Sequence, residues 1–401
     1  MKRIWLLSFC LMAALACPNL SLTSSCQRTV VAALQEQEEE STQEETQEKT
    51  EEAKPDQEAA QPAQPPAQDP AAEEAAPQEA APTQPNPQEA PLTKEVISEE
   101  LNNPCGLAIQ PETGTLFVSD SGNLQILRLV DGKLEPVITD FPKDIYGKGP
   151  EYAIGPLGIT FLDRQTLVVG GGGMKDGEEL LRVYKVPEVG EASIKADQME
   201  TSMGLPADGD VVGEGNFYAV ISSETALFAT LNGDDNKGWI GMATREGNTL
   251  KEFKRFIATK DSVQVDAPVG ICLTGDGYLA VGQMGEISVP GDSMLLFYNQ
   301  QGEFYGDYKT GLSDITSLAY SDAGHLYALD FSWHDTSKGG LFRLVAEGDS
   351  DCIAKPMMDL EKPTSMIFDQ AGNLWVTTIG TADSADQGGQ LIKIIGLPSG
   401  R

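Results

Sequence analysis

The chain has 401 residues, with 61 acidic against 28 basic side chains, two histidines, six cysteines, 41 glycines and 24 prolines, for a formal charge of −33. A surface this negative repels phosphate backbones and anionic lipid, which sets aside nucleic-acid binding and adsorption to a charged membrane. What remains is a soluble, glycine-rich domain of about 310 residues behind a leader that cannot fold.

Lys2 and Arg3 precede an apolar run from Ile4 to Ala16, too short to span a bilayer as a mature helix and suited to the core of a signal peptide. Residues 1–17 are therefore read as an export signal, placing the protein in the periplasm, at the cell envelope or outside. Ala14-Leu15-Ala16-Cys17 is similar to a degenerate bacterial lipobox, so Cys17 is the candidate lipidation site and a lipid there the one route to a membrane. Residues 18–91 are rich in Glu, Gln, Ala and Pro. From Glu36 to Glu89 sixteen carboxylates face only Lys49 and Lys54. Such a segment buries too little apolar area to offset its chain entropy and is expected to be a disordered acidic linker.

From 92 to 401 short runs of Val, Ile, Leu, Phe and Tyr alternate with Gly, Asp and Asn, the pattern of antiparallel strands and turns. The runs repeat. Pro104-Cys105-Gly106-Leu107-Ala108-Ile109, a turn at Glu112-Thr113-Gly114, then Leu116 to Asp120 and Leu124 to Leu129 make the clearest unit. Similar units begin at Pro156, Pro268, Ile315 and Pro363, and the long gap between Pro156 and Pro268 hides another, near Pro206 to Ile257, with strands at Phe217 to Ser222, Ala226 to Leu231, Trp239 to Thr244 and Leu250 to Phe256. Units of about fifty residues, each able to make four strands, predict an all-β, six-bladed propeller. The last unit is one strand short and Leu92 to Ser98 is one strand in surplus, so the N-terminal strand is expected to close the ring and remove two sheet edges.

Gly106-Leu107-Ala108 followed by Leu116-Phe117-Val118-Ser119-Asp120-Ser121-Gly122-Asn123 resembles an NHL repeat, and residues 92–401 resemble the NHL and senescence-marker/gluconolactonase group of six-bladed propellers. That resemblance implies a divalent metal in the central channel, held by a Glu of the first inner strand and by Asn and Asp between Pro and Gly. The corresponding positions here are Cys105, Leu157 and Val269, with Thr316 and Thr364 in the degenerate units, and none is a good ligand for a hard cation. Pro206-Ala207-Asp208-Gly209 offers one carboxylate out of register.

First-to-second turns are short throughout, so that face reads as closed. The opposite face carries long connections: Phe141 to Gly155, Gly171 to Glu179, Gln283 to Ser293, Ser332 to Gly340 and Gly380 to Gly389. Long loops on a rigid scaffold usually carry the binding residues. Their aromatic, thioether and titratable side chains, Tyr146, Tyr152, Met174, Met284, Trp333, His334 and Asp335, are the expected ligand site. Adjacent residues on an extended chain point to opposite sides, so Trp333-His334-Asp335 makes no dyad by adjacency and no catalytic residue is assigned. Asp120 and Asp330 end equivalent strands and are expected to accept hydrogen bonds from turn amides. Gly170 to Gly173 lacks the Lys-Ser/Thr ending of a phosphate loop. Asn232 to Asn236 is acidic enough to attract calcium but lacks the alternation and the distant Glu of a calcium loop and reads as a hairpin turn. No cofactor is expected, with calcium a possible ion. A Cys105–Cys352 bridge is one option for an odd set of three cysteines.

The first expectation is thus an exported monomer that engages a protein, peptide or glycan on its long-loop face and has no chemistry of its own. The alternative is a divergent, metal-dependent hydrolase of the gluconolactonase kind.

Overall fold

The computed structural model describes residues 91–147, 151–207, 215–231, 237–265, 267–348, 350–379 and 388–398. The signal peptide, Cys17, the acidic linker, Asp208, residues 232–236 and most of the 380–389 connection lie outside them. Every unit read from the sequence is an antiparallel run of four strands. The Pro104 unit comprises Pro104–Ile109, Leu116–Asp120, Gln125–Val130 and Lys133–Thr139 in consecutive pairing. Pro156–Phe161, Thr166–Gly171, Leu180–Lys185 and Thr201–Gly204 form the next, followed by Phe217–Ser222, Ala226–Leu231, Trp239–Glu246 and Thr249–Ala258. The units beginning Pro268–Leu273 and Ile315–Tyr320 follow the same order, and one parallel bridge, Lys309 to Asp351, merges them into an eight-stranded sheet.

The turns explain why the units recur. In four of the first turns Gly114, Gly277, Gly324 and Gly372 hold φ of 71, 81, 79 and 79°, a left-handed conformation that a Cβ disfavours. In the Pro156 unit Asp163 does the equivalent work, its Oδ1 accepting from the backbone N–H of Gln165 and Thr166.

The last unit has only Pro363–Phe368, Leu374–Thr378 and Gly389–Ile395 of its own. Thr93–Leu101 supplies the fourth strand, running antiparallel from Thr93 opposite Ile395 to Leu101 opposite Gly389. The core lies between sheets rather than within one. Phe117 meets Phe161 edge to face at 4.9 Å between the Pro104 and Pro156 units. Leu181 and Val168 pack on Phe217 and Leu227, Phe228 on Val281 and Leu296, Leu295 on Leu318 and Ala328, and Leu341 on Leu374 and Ile392. A last cluster, Leu101, Trp375 and Leu391 against Leu107 and Val118, returns the Pro363 unit to the Pro104 unit. Each unit therefore covers the faces of its neighbours, at about 1.5–3 kcal/mol per fully buried large side chain, and the chain forms a β-propeller.

Hydroxyls of one unit tie it to the inner strand of the next. Ser119 donates to the Pro156 carbonyl at 2.6 Å, Thr230 to Val269 at 2.9 Å and Thr316 to Pro363 at 2.8 Å, and Thr364 donates to Pro104. These bonds satisfy carbonyls on the edge strands that line the channel.

The hidden unit has its first strand at Phe217–Ser222, where the sequence places it, with Phe217 rather than a proline in the anchor position opposite Leu231. One sequence expectation changes. The short-turn face is not closed: a cavity of about 1370 Å³, its solvent-open part included, is lined by the inner strands and by Pro111, Asp322, Asp369 and Gln370 of those turns. Short turns leave the channel axis uncovered because they are too short to reach it.

Candidate active site at the channel mouth

In every inner strand the pairing register slips just after the anchor: between Pro104 and Gly106, Pro156 and Ile159, Phe217 and Val220, Pro268 and Gly270, Ile315 and Ser317, and Pro363 and Ser365. A bulge of this kind re-aims side chains. Here it turns Cys105, Leu157, Tyr218, Val269, Thr316 and Thr364 toward the axis, where all six line one cavity of about 610 Å³ including its open mouth. Above them stand Tyr146 and Tyr152, paired across the hairpin Asp144–Tyr146 and Tyr152–Ile154, with Met284, Phe331, Trp333 and Ile379 from three further connections. Trp333 stacks on Phe331 at 4.8 Å and meets the edge of Tyr152 at 6.0 Å. Asn103 and Asn216 complete the wall, each at positive φ immediately before its unit's anchor.

Four side-chain protons of this floor are spoken for. The Tyr218 hydroxyl donates to the Thr364 carbonyl at 3.1 Å, crossing the channel between units that are not neighbours. Thr316 and Thr364 donate to Pro363 and Pro104, and the Cys105 thiol to the Asn103 carbonyl at 3.2 Å. What these groups present to the cavity is therefore lone pairs. Asn103 adds its Oδ1, since its Nδ2 donates to the Ala153 carbonyl.

None of them is poised to move a proton. Burial pushes the Cys105 thiol up to about 12, against a lowering hydrogen bond from Ser121 and with a further push from Asp120. The Tyr218 hydroxyl is desolvated and held well above its usual value, with Cys105 and Tyr146 adding to the effect. Burial raises Tyr152 as well.

Buried carboxylates stand behind the wall rather than in it. Asp314 accepts the Trp333 N–H at 2.6 Å and so fixes the ring's backbone, while its other oxygen is buried without a hydrogen bond. Burial, opposed by that hydrogen bond and reinforced by Asp330 and Asp292, pushes it up to about 6. Glu179 accepts the Met174 N–H, and its free oxygen lies where a Cβ on Gly171 would stand. Burial pushes it up to about 7, against that bond and the Arg182 guanidinium, with Asp144 adding to the rise. Asp330 accepts the N–H of Ser313, Asp314 and Ser332, and Asp120 those of Asn102 and the Asn123 and Gln125 amides, the structural role expected of both.

Of the seven site residues read from the sequence, Tyr146, Tyr152, Met284 and Trp333 come together. Met174 does not line the cavity: its N–H is bound to Glu179 and its sulfur receives Arg182 at 3.0 Å. His334 is exposed, and Asp335 binds the Ser337 hydroxyl and pairs with Lys338. Sequence reasoning missed Tyr218, Asn103, Asn216 and Asp314. The last three share a legible signal, a polar residue directly before the anchor of a unit. Cys105, Cys272 and Cys352 are all free thiols.

No protein-family model matches the chain, and no curated protein matches its sequence. Solved structures do match. The chain is similar to the PQQ-bound aldose sugar dehydrogenase of Streptomyces coelicolor, at 15% identity and a TM-score of 0.51 over 77% of this chain and 100% of that one. It is similar to the soluble aldose sugar dehydrogenase of Escherichia coli, at 12% and 0.53 over 76% and 99%. A gluconolactonase of Xanthomonas campestris aligns at 13% and 0.48 over 75% and 88%, too loosely to bear any argument. At these identities the likeness establishes the propeller fold. The first expectation, a binding module engaging a protein, peptide or glycan with no chemistry of its own, is corrected by these matches, since both sugar dehydrogenases named above are enzymes.

Neither the channel metal that the resemblance implies nor the quinone bound in the Streptomyces coelicolor structure suits the cavity. The channel ring holds no carboxylate, and among the described residues no three His, Cys, Asp or Glu side chains are grouped to hold a metal. A quinone cofactor with three carboxylates needs cationic partners, and the described lining has no Lys, Arg or His.

Proposed function

We propose that the chain is an enzyme whose substrate is a neutral, hydroxyl-rich ring of the sugar or sugar-lactone kind, taken into the channel mouth. The observation that carries this reading is the pairing of aromatic walls with a floor of hydrogen-bond acceptors. Tyr146, Tyr152 and Trp333 offer faces to the C–H surface of a ring, and the oxygens of Tyr218, Thr316, Thr364 and Asn103 accept from its hydroxyls. At the floor an anionic ligand would meet the lone pairs of Tyr218, Thr316 and Thr364, whose protons are already bound.

Opening of a cyclic ester by water is the reaction class we favour, since the described lining, without Lys, Arg or His, disfavours a quinone such as the one bound in the Streptomyces coelicolor structure. The described residues bind and orient the ring and exclude bulk water; with their high pKa values Cys105 and Tyr218 hold hydrogen bonds rather than exchange protons. The same reading extends to the whole chain: an export signal over 1–17, with Cys17 acylated where the lipobox is used, an acidic Glu/Gln/Ala/Pro-rich linker over 18–91, and a six-bladed propeller over 92–401 of the NHL and gluconolactonase-like group.

The test is a rate. Purified protein is assayed with glucono-1,5-lactone against spontaneous opening, and with neutral aldoses and an artificial electron acceptor, each in chelator and again with calcium. Lactone opening faster than the spontaneous rate in chelator, lowered about tenfold or more by Trp333→Ala, is the expected result. Aldose oxidation instead would move the reading to a dehydrogenase, and no turnover of either kind by folded protein would overturn it.

A further inference from the structure

We infer that Tyr218 is a crossbar that sets the depth of the site and restricts its occupant to one ring, an inference that rests on the substrate reading above. Its side chain spans the channel from the Phe217 unit to the Thr364 carbonyl of the Pro363 unit, which is not its neighbour in the ring. The cavity above and the cavity below share only Cys105, Tyr218, Thr316 and Thr364 in their linings, so these four side chains are the partition between them. Cys105 and the two threonines are short, and each is tied to a backbone carbonyl. Tyr218 alone is long enough to reach across.

The crossbar is also seated firmly. A Cβ on Gly158 would stand 2.6 Å from the Tyr218 carbonyl and 2.7 Å from the Val220 nitrogen, so the Pro156 unit presses directly on the strand that carries it. Above it lie about 610 Å³, and below it about 1370 Å³, open to the short-turn face. The lower space is walled by apolar side chains such as Ile159 and Met366 and, in about equal measure, by polar groups that include Ser317, Ser365 and Asp369, which offer partners for further hydroxyls once a path is open. The tyrosine ring blocks that path; its hydroxyl only anchors the ring.

Full-length protein and its Tyr218→Ala, Tyr218→Leu and Tyr218→Phe variants are titrated calorimetrically with methyl β-D-glucopyranoside, one ring, and methyl β-D-cellobioside, two. The unaltered protein and Tyr218→Phe are expected to favour the single ring by about tenfold or more, and Tyr218→Ala to bring the two sugars within about threefold of each other. Tyr218→Leu, which retains bulk at the strand but cannot cross the channel, should behave as Tyr218→Ala and serves if the alanine variant fails to fold. A folded Tyr218→Ala or Tyr218→Leu protein that keeps the original preference overturns the crossbar and leaves the site reading intact. Binding of neither sugar to any of the four proteins overturns both.

Discussion

The two ends of the channel are built from the same repeated strands and differ in what crosses the axis. At one end five-residue turns such as Ser321 to His325 stay over their own sheet, and the channel opens into a wide space with much exposed backbone. At the other, connections from several units fold inward and cap a smaller cavity with Tyr152, Phe331, Trp333 and Ile379. A propeller thus gains a site through unequal loops, because the scaffold alone provides a hole and not a pocket. The capped end carries a cost: its loops are held by Glu179 and Asp314, each with a buried oxygen that has no hydrogen-bond partner.

That cost makes the largest prediction. Glu179 and Asp314 titrate near 7 and 6 in the folded chain and near their ordinary lower values when unfolded. The folded state therefore binds more protons between about pH 4 and pH 7, and stability falls as pH rises through that window. With about 1.4 kcal/mol for every tenfold change in proton affinity, each group accounts for at most about 3 kcal/mol. Denaturant unfolding should give a more stable protein at pH 5 than at pH 8, and Glu179→Gln with Asp314→Asn should flatten the difference. Relief of a net charge of −33 acts in the same direction, so a profile that the double variant leaves unchanged would assign the effect to general repulsion instead.

Next in size is the aromatic cap. Trp333→Ala removes the ring stacked on Phe331 and the edge of Tyr152, and should cost about 2 kcal/mol in unfolding free energy together with most of the turnover. Its counterpart at the open end is Asp369, whose carboxylate accepts from the Ala371 and Asn373 amides and from the Trp375 indole. Asp369→Ala should cost about 1–2 kcal/mol in the same measurement and leave kcat/KM unchanged. Loss of activity from the open-end variant alone would place the working site at the wrong end.

How far the sequence could reveal this contrast depends on the residue. Loop length identified the capped end, and with it Tyr146, Tyr152, Met284 and Trp333, because aromatic and thioether groups on long connections have few other places to go. The anchor prolines located most units, since each begins an inner strand at the same register. The strand from Phe217 to Ser222 was legible, but without a proline to anchor it Tyr218 was not aligned with Cys105 and Leu157: a bulge is a difference in pairing between two strands and leaves no mark in either one alone. The breadth of the open end was hidden for a related reason, as a short turn reports only its own closure. Asp314 was overlooked because its neighbour Asp330 already looked like the structural acid of that unit, and only the fold reveals that the two divide the work, Asp330 binding the turn and Asp314 binding Trp333.

The smallest effect concerns residues that looked best in the sequence. Trp333-His334-Asp335 combines a platform, a titratable ring and a carboxylate, yet only Trp333 lines the cavity. Chain direction decides this: Asp314 draws the Trp333 backbone toward the channel, and the chain then turns outward into the short helical turn Thr336–Lys338. Asp335 is left to bind the Ser337 hydroxyl and to pair with Lys338 at 3.4 Å, a solvent-screened contact of little energetic weight. His334→Ala and Asp335→Ala should therefore leave the thermal midpoint and kcat/KM where they are. A pH–rate profile that changes shape in His334→Ala would reverse the assignment, since it would require that imidazole to reach over the rim and act on the bound ring.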